Sequence, residues 1–154
     1  MKRFDTAAPY LAVYVLIERE GKYLFVRRAN TNWMDDHYGL PGGKVEWQEG
    51  CLAAAAREAR EETGVEIAPE HLEHAVTLWR REDADDPAME WCDIGFVARQ
   101  WGGEPYNAEP HMHDSIAWFG LHELPENVVP SVRHIMTLFE QGVTYGEYDQ
   151  FIAK

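Results

Sequence analysis

The sequence predicts an α/β fold: a mixed central sheet with a helix on each side, an α/β/α sandwich. Three observations carry this. Runs rich in Val, Ile and Leu recur along the chain, two segments repeat apolar residues at helical spacing, and glycine, proline and acidic clusters punctuate them. The 154 residues fit one domain spanning 1–154, long enough to bury a real core.

Residues 1–8 read as a frayed end. Tyr10 to Glu18 is apolar on both faces, as a central strand is. Glu20-Gly21-Lys22 is a turn, and Tyr23 to Arg28 alternates as the second arm of a hairpin. Ala29 to His37 is a polar loop with Trp33, Asp35 and Asp36, and Tyr38 to Leu40 is a short strand. Leu40-Pro41-Gly42-Gly43 reads as a turn whose glycines can take positive φ and bring a backbone carbonyl close to an ion. Glu46 to Glu49 then places acids at a helix start, where the macrodipole favours negative charge. Leu52, Ala55, Ala56, Ala59 and Thr63 form the apolar stripe of that helix, and Gly64 is its cap.

Leu72 to Arg81 and Met89 to Arg99 pair as a hairpin around an exposed, acidic tip over residues 82–87. Trp101-Gly102-Gly103 breaks the second strand. Residues 106–114 (YNAEPHMHD) are a loop dense in polar side chains, and Ser115 to Phe119 is the last strand. Ser131 caps a second helix reaching Gln141, with Val132, Ile135, Met136 and Phe139 on its apolar face. Tyr145, Tyr148 and Phe151 give the tail enough aromatic area to pack back on the body or on a second subunit, which leaves a homodimer open.

A net charge of −13 argues against a broad grip on nucleic acid or an anionic membrane. Two cysteines, Cys51 and Cys92, make no disulfide framework. With no apolar stretch near 18 residues and no signal peptide, the expected location is the cytoplasm.

The chemistry concentrates between Gly43 and Val65. Glu58, Glu61 and Glu62 stand at i, i+3 and i+4, so a helix puts them on one face, where they repel one another. A cation offsets that repulsion, and hard carboxylate oxygens suit Mg²⁺, or Mn²⁺ as the alternative. The net acidity points the same way, because a polyphosphate approaches such a protein only with divalent metal neutralising both sides.

Gly43, then five residues, Glu49, then seven residues, then Arg57-Glu58-Ala59-Arg60-Glu61-Glu62-Thr63-Gly64-Val65 is similar to the box motif of the Nudix hydrolases. Every fixed position is met; Ala59 stands where the family more often has a larger aliphatic residue, though a small one is tolerated. The flanking strands, Trp118-Phe119 and Glu123-Leu124-Pro125 also resemble the small, MutT-like branch. The resemblance implies the Nudix α/β/α sandwich and hydrolysis of a nucleoside diphosphate linked to another group. It further implies that Glu58 and Glu62 are the main metal carboxylates, with Glu61 a further ligand or an orienter of the attacking water. The carbonyl of Gly42 completes that metal set. Arg57 belongs to the catalytic set with Glu58, Glu61 and Glu62, and holds Glu49 and the neighbouring carboxylates in place. Arg28 is the residue implied to reach the substrate phosphates.

The general base is left open among Glu61, Glu104, Glu109, His111, His113 and Asp114; the two histidines read as solvated rather than as a zinc pair. Trp33, Trp79, Trp91 and Trp118 are the candidates for stacking on a base. The proline that marks ADP-ribose hydrolases and the tyrosine that marks dinucleoside polyphosphate hydrolases are both missing downstream, where Leu78-Trp79-Arg80-Arg81 stands. A nucleoside triphosphate, normal or damaged, giving monophosphate and pyrophosphate is therefore the leading expectation. The alternatives are another nucleotide conjugate (ADP-ribose, a nucleotide sugar, a capped RNA end), a non-hydrolytic nucleotide sensor, and an acidic interaction protein.

Overall fold

The computed structural model describes residues 6–82 and 89–150. The end read over residues 1–5, the loop over 83–87 and Phe151 of the tail lie outside the described residues. The strands are β1 (Tyr10–Arg19), β2 (Lys22–Arg28), β3 (Tyr38–Gly39), β4 (Gly42–Lys44), β5 (Leu72–Arg81), β6 (Trp91–Ala98), β7 (His113–Gly120) and β8 (Tyr145–Asp149). Two α-helices join them, α1 (Cys51–Thr63) and α2 (Pro130–Glu140). The sheet runs β3-β2-β1-β6-β5-β8, with β4 on β1 and β7 on β2. It is mixed, because β1 and β6 are parallel, as are β5 and β8, and the other pairs are antiparallel.

Alternation along β1 makes the two cores. Val13, Val15 and Ile17 point to one face and pack with Ala54, Ala55 and Ala59 of α1. Leu16 points to the other and packs with Val132, Ile135 and Met136 of α2. Ala54, Ala55 and Ala59 are fully buried and let the backbone of α1 lie close on the sheet. Gly64 ends α1 in the left-handed region (φ 76°), its N–H donating to the Arg60 carbonyl. Among the described residues no helix is long and apolar enough to cross a membrane.

Several expectations are corrected. The stripe of α1 uses Ala54 where Leu52 was expected; Leu52, in the first turn of the helix, is exposed. Its first turn carries no acid: Glu46 and Glu49 precede the cap Gly50, and Glu49 pairs with Arg57. The Leu40–Gly43 segment is not a positive-φ turn. Gly42 and Gly43 are extended in β4, and a Cβ on Gly42 would lie 2.2 Å from the Val13 carbonyl oxygen. Close approach to β1, not backbone freedom, is what requires glycine there. Ser131 does not cap α2, which starts at Pro130 behind Val129. Glu82 is not in an exposed loop but buried, 1% exposed.

Candidate active site

Two local features aim side chains into one cavity of about 320 Å³. The first is β4. Because Gly42 and Gly43 lie flat on β1, the Gly42 N–H reaches the buried Glu62 carboxylate at 3.1 Å. A Cβ on Gly43 would sit 2.5 Å from an oxygen of Glu58. The second is an irregularity between β2 and β7. Arg27 pairs with Ser115 but Arg28 pairs with His113, so Asp114 is the extra residue. The bulge brings Arg28 and His113 together on the cavity wall, while Arg27 pairs outside with Asp114 at 2.6 Å and Asp36 at 3.3 Å.

The 106–114 loop closes the arrangement because it is tied to the end of α1. The Tyr106 N–H donates to the Thr63 carbonyl at 3.0 Å and the Ala108 N–H to the Glu62 carbonyl at 3.1 Å. That places Glu109 over the acidic face of the helix. The ligating atoms of Glu62, Glu109 and His113 lie within 4.8 Å of one another. His113 is 3% exposed and its Nδ1 has no hydrogen-bond partner, so the expectation of a solvated histidine fails for it while His111 is exposed.

Electrostatics report the strain of this cluster. Burial, then the charge of Glu58, holds the Glu62 carboxyl well above the ordinary range. Burial raises Glu58 too, against the pull of Arg57. Glu109 is raised by burial and by Glu61. Burial and the nearby Arg28 push His113 down to about 4, so it is neutral at pH 7. A buried acid cluster facing a neutral imidazole with an unpartnered ring nitrogen offers donors that suit a divalent cation. The residues present fit such an ion.

Arg57 contacts four carboxylates. It grips Glu49 with Nε at 2.7 Å and Nη2 at 2.9 Å, and its Nη1 lies 2.9 Å from Glu58, 3.2 Å from Glu61 and 3.8 Å from Glu46. These contacts, Glu49 first, raise its own pKa. Of the expected metal set, Glu62 lines the cavity and Glu58 lies against Gly43, while Glu61 is 44% exposed and tied to Arg57. Gly42 touches Glu62 through its N–H.

Arg28 lines the cavity beside Glu62, with Nε on the Trp33 carbonyl at 2.9 Å and Nη2 on the Thr31 hydroxyl at 3.1 Å. Its guanidinium also lies 4.8 Å from the Trp33 ring. The loop that holds it is braced by Asp35, which accepts from the Thr31 and Asn32 amides, and carries left-handed residues at Asn30, Asn32, Met34 and Asp36. Among the base candidates, Glu104 is spent on Arg19 and Asp114 on Arg27. Trp33 and Trp91 line the cavity; Trp118 instead stacks on Trp101 and Arg19. Sequence reading missed the union of Glu62 with Glu109 and His113, since nothing in residue spacing announces a loop's tether.

Comparison with known proteins finds a family model, the NUDIX domain, matching residues 8–139. An uncharacterized Nudix hydrolase of Bacillus subtilis is 26% identical over 136 residues, 86% of this chain and 82% of that protein. The 8-oxo-dGTP diphosphatase of Escherichia coli is 27% identical over 111 residues, 72% of this chain and 81% of the relative. Among solved structures, a MutT NUDIX hydrolase from Burkholderia pseudomallei superposes with a TM-score of 0.77 at 27% identity, covering 85% of this chain and 98% of its own.

Proposed function

The chain belongs to the Nudix family and is a Nudix pyrophosphohydrolase of nucleotide-linked substrates; from that premise we propose that it hydrolyses a nucleoside triphosphate to monophosphate and pyrophosphate, with Mg²⁺ as the ion and Mn²⁺ able to replace it. The observation that carries this reading is the meeting of Glu62, Glu109 and His113 at a cavity that Arg28 also lines. A negative cluster beside a fixed guanidinium suits a phosphate chain that arrives with metal.

Glu58, Glu62, Glu109 and His113, with Glu61 at the rim and the Gly42 backbone, are the residues that would hold the ion. When bound, a divalent cation neutralises phosphate charge and makes a water nucleophilic at neutral pH. The chain's own residues do the rest. Arg28 orients the phosphates, its direction fixed by Trp33 and Thr31. Arg57 is a positioning residue: it aims Glu58 and Glu61 and keeps their mutual repulsion in check. Of Glu109 and His113, which both reach Glu62, the one that the ion leaves free can take the proton of the attacking water. No covalent intermediate is required.

A panel of nucleoside triphosphates, ADP-ribose and nucleotide sugars with Mg²⁺ and Mn²⁺, resolved by product, tests this. Pyrophosphate release from a triphosphate is expected. Two monophosphates from a conjugate, with triphosphates left intact, would overturn the substrate assignment and leave the family standing. Glu109→Gln should lower kcat by about 100-fold or more, as loss of a general base does.

A further inference from the structure

The same cavity has a second group of lining residues that the phosphate chemistry does not use: Arg80, Glu82, Trp91 and Ser131. Glu82 is the one that packing leaves unexplained. It is 1% exposed, and neither carboxylate oxygen has a hydrogen-bond partner. Burial raises its pKa, and Ser131 and Arg80 temper the rise. Ser131, in the first turn of α2, faces the carboxylate and favours its charged form. Arg80 is engaged elsewhere, its Nε on Asp93, its Nη2 3.4 Å from the Tyr14 hydroxyl, its face 4.5 Å from the Trp91 ring. A buried carboxylate whose oxygens are left without good partners weakens the fold, a cost that a ligand supplying donors removes.

We propose that Glu82 determines base specificity, accepting two hydrogen bonds from a nucleobase edge that carries adjacent N–H donors, as the N1–H and exocyclic amine of guanine do. This rests on the nucleotide reading above. An ionised carboxylate only accepts. The Watson–Crick edges of adenine, cytosine and uracil carry no two adjacent N–H donors, so each would set an acceptor against Glu82 in a dry site. Hydrogen-bonding sites reject such mismatches far more strongly than apolar pockets reject a missing methylene. Trp33 and Trp91 also line the cavity, each with one face against an arginine, and are the aromatic rings on which a base can stack. A purely structural role is the rival: Glu82 lies at the first turn of α2, where a carboxylate favours the helix. That role affects melting temperature and leaves base preference alone.

The test is kcat/KM for GTP, ATP, CTP and UTP with Mg²⁺, for the wild type and Glu82→Gln, with melting temperatures on the same samples. We expect the wild type to favour GTP over ATP by about 100-fold or more. Glu82→Gln presents one acceptor and one donor, which matches adenine, and should shrink that ratio by at least about 10-fold, chiefly through KM. Equal kcat/KM for all four bases, an adenine preference, or a ratio that Glu82→Gln leaves unmoved would overturn the proposal. The wild-type panel decides alone if Glu82→Gln does not fold. If no triphosphate is hydrolysed, the function proposed above fails, and calorimetric binding of GDP against ADP still judges Glu82: tighter GDP binding upholds it and equal binding sinks it.

Discussion

Glu62 is where the acids of the box are most costly to the fold. It is buried, it faces Glu58, and only the Gly42 N–H and the distant charge of Arg28 favour its ionised form. An acid whose pKa rises on folding stabilises the folded state below its unfolded value, near 4.5 for glutamate, and loses that contribution as pH climbs through the folded value. Glu62→Gln keeps an oxygen for Gly42 and removes the charge. In metal-free protein at pH 8 it should melt higher than the wild type, by roughly 2–4 °C per kcal/mol of repulsion removed, with the gap closing towards pH 4.5. A gap of the same size at every pH contradicts the electrostatic account. Its activity should nonetheless fall by about 100-fold or more, as should that of Glu58→Gln, because each removes ligand charge. The two glycines of β4 separate stability from activity in another way. Alanine at Gly42 meets the Val13 backbone and should destabilise by about 1–3 kcal/mol. Alanine at Gly43 meets only the end of the Glu58 side chain, so turnover should drop while the melting temperature holds; unfolding curves and kcat for the pair check the contrast.

At the scale of elements, α1 works because the apolar part of its buried side is alanine, at Ala54, Ala55 and Ala59. Ala59 is fully buried against the sheet, and Ala59→Leu should cost about 1–3 kcal/mol by forcing the helix away from it, which denaturant titration would register. Much of this was legible from residues alone. The runs at Tyr10, Leu72 and Ser131 announced their elements to within one or two residues, and Gly64 marked the end of α1 by the one conformation glycine favours. Other features left no such trace. β4 has three residues, two of them glycine, and its reason lies in the β1 backbone it touches. The bulge at Asp114 depends on the register between β2 and β7. Glu109 reaches the site because Ala108 hydrogen-bonds to the end of α1, a tether made by backbone atoms that every residue possesses. Glu82 stood at the edge of an acidic run and read as solvent-exposed, although its strand carries it inside.

The whole molecule is an acidic body, net charge −13, wrapped around a cavity that one face of α1 makes more negative still. Metal should therefore be part of its stability as well as its chemistry. Mg²⁺ at 100 times its Kd should add about 2.7 kcal/mol to unfolding, and nucleotide should add to that. A chelator should reverse both. The sandwich itself depends on neither, since its two cores lie on opposite faces of the sheet and are apolar. The measurement that bears most directly on the central claim is product analysis of nucleoside triphosphate hydrolysis by the wild type and Glu62→Gln, each with Mg²⁺ and with excess chelator. Monophosphate and pyrophosphate should appear only for the wild type with metal. Undiminished hydrolysis by Glu62→Gln, or by wild-type protein stripped of metal, would contradict the account.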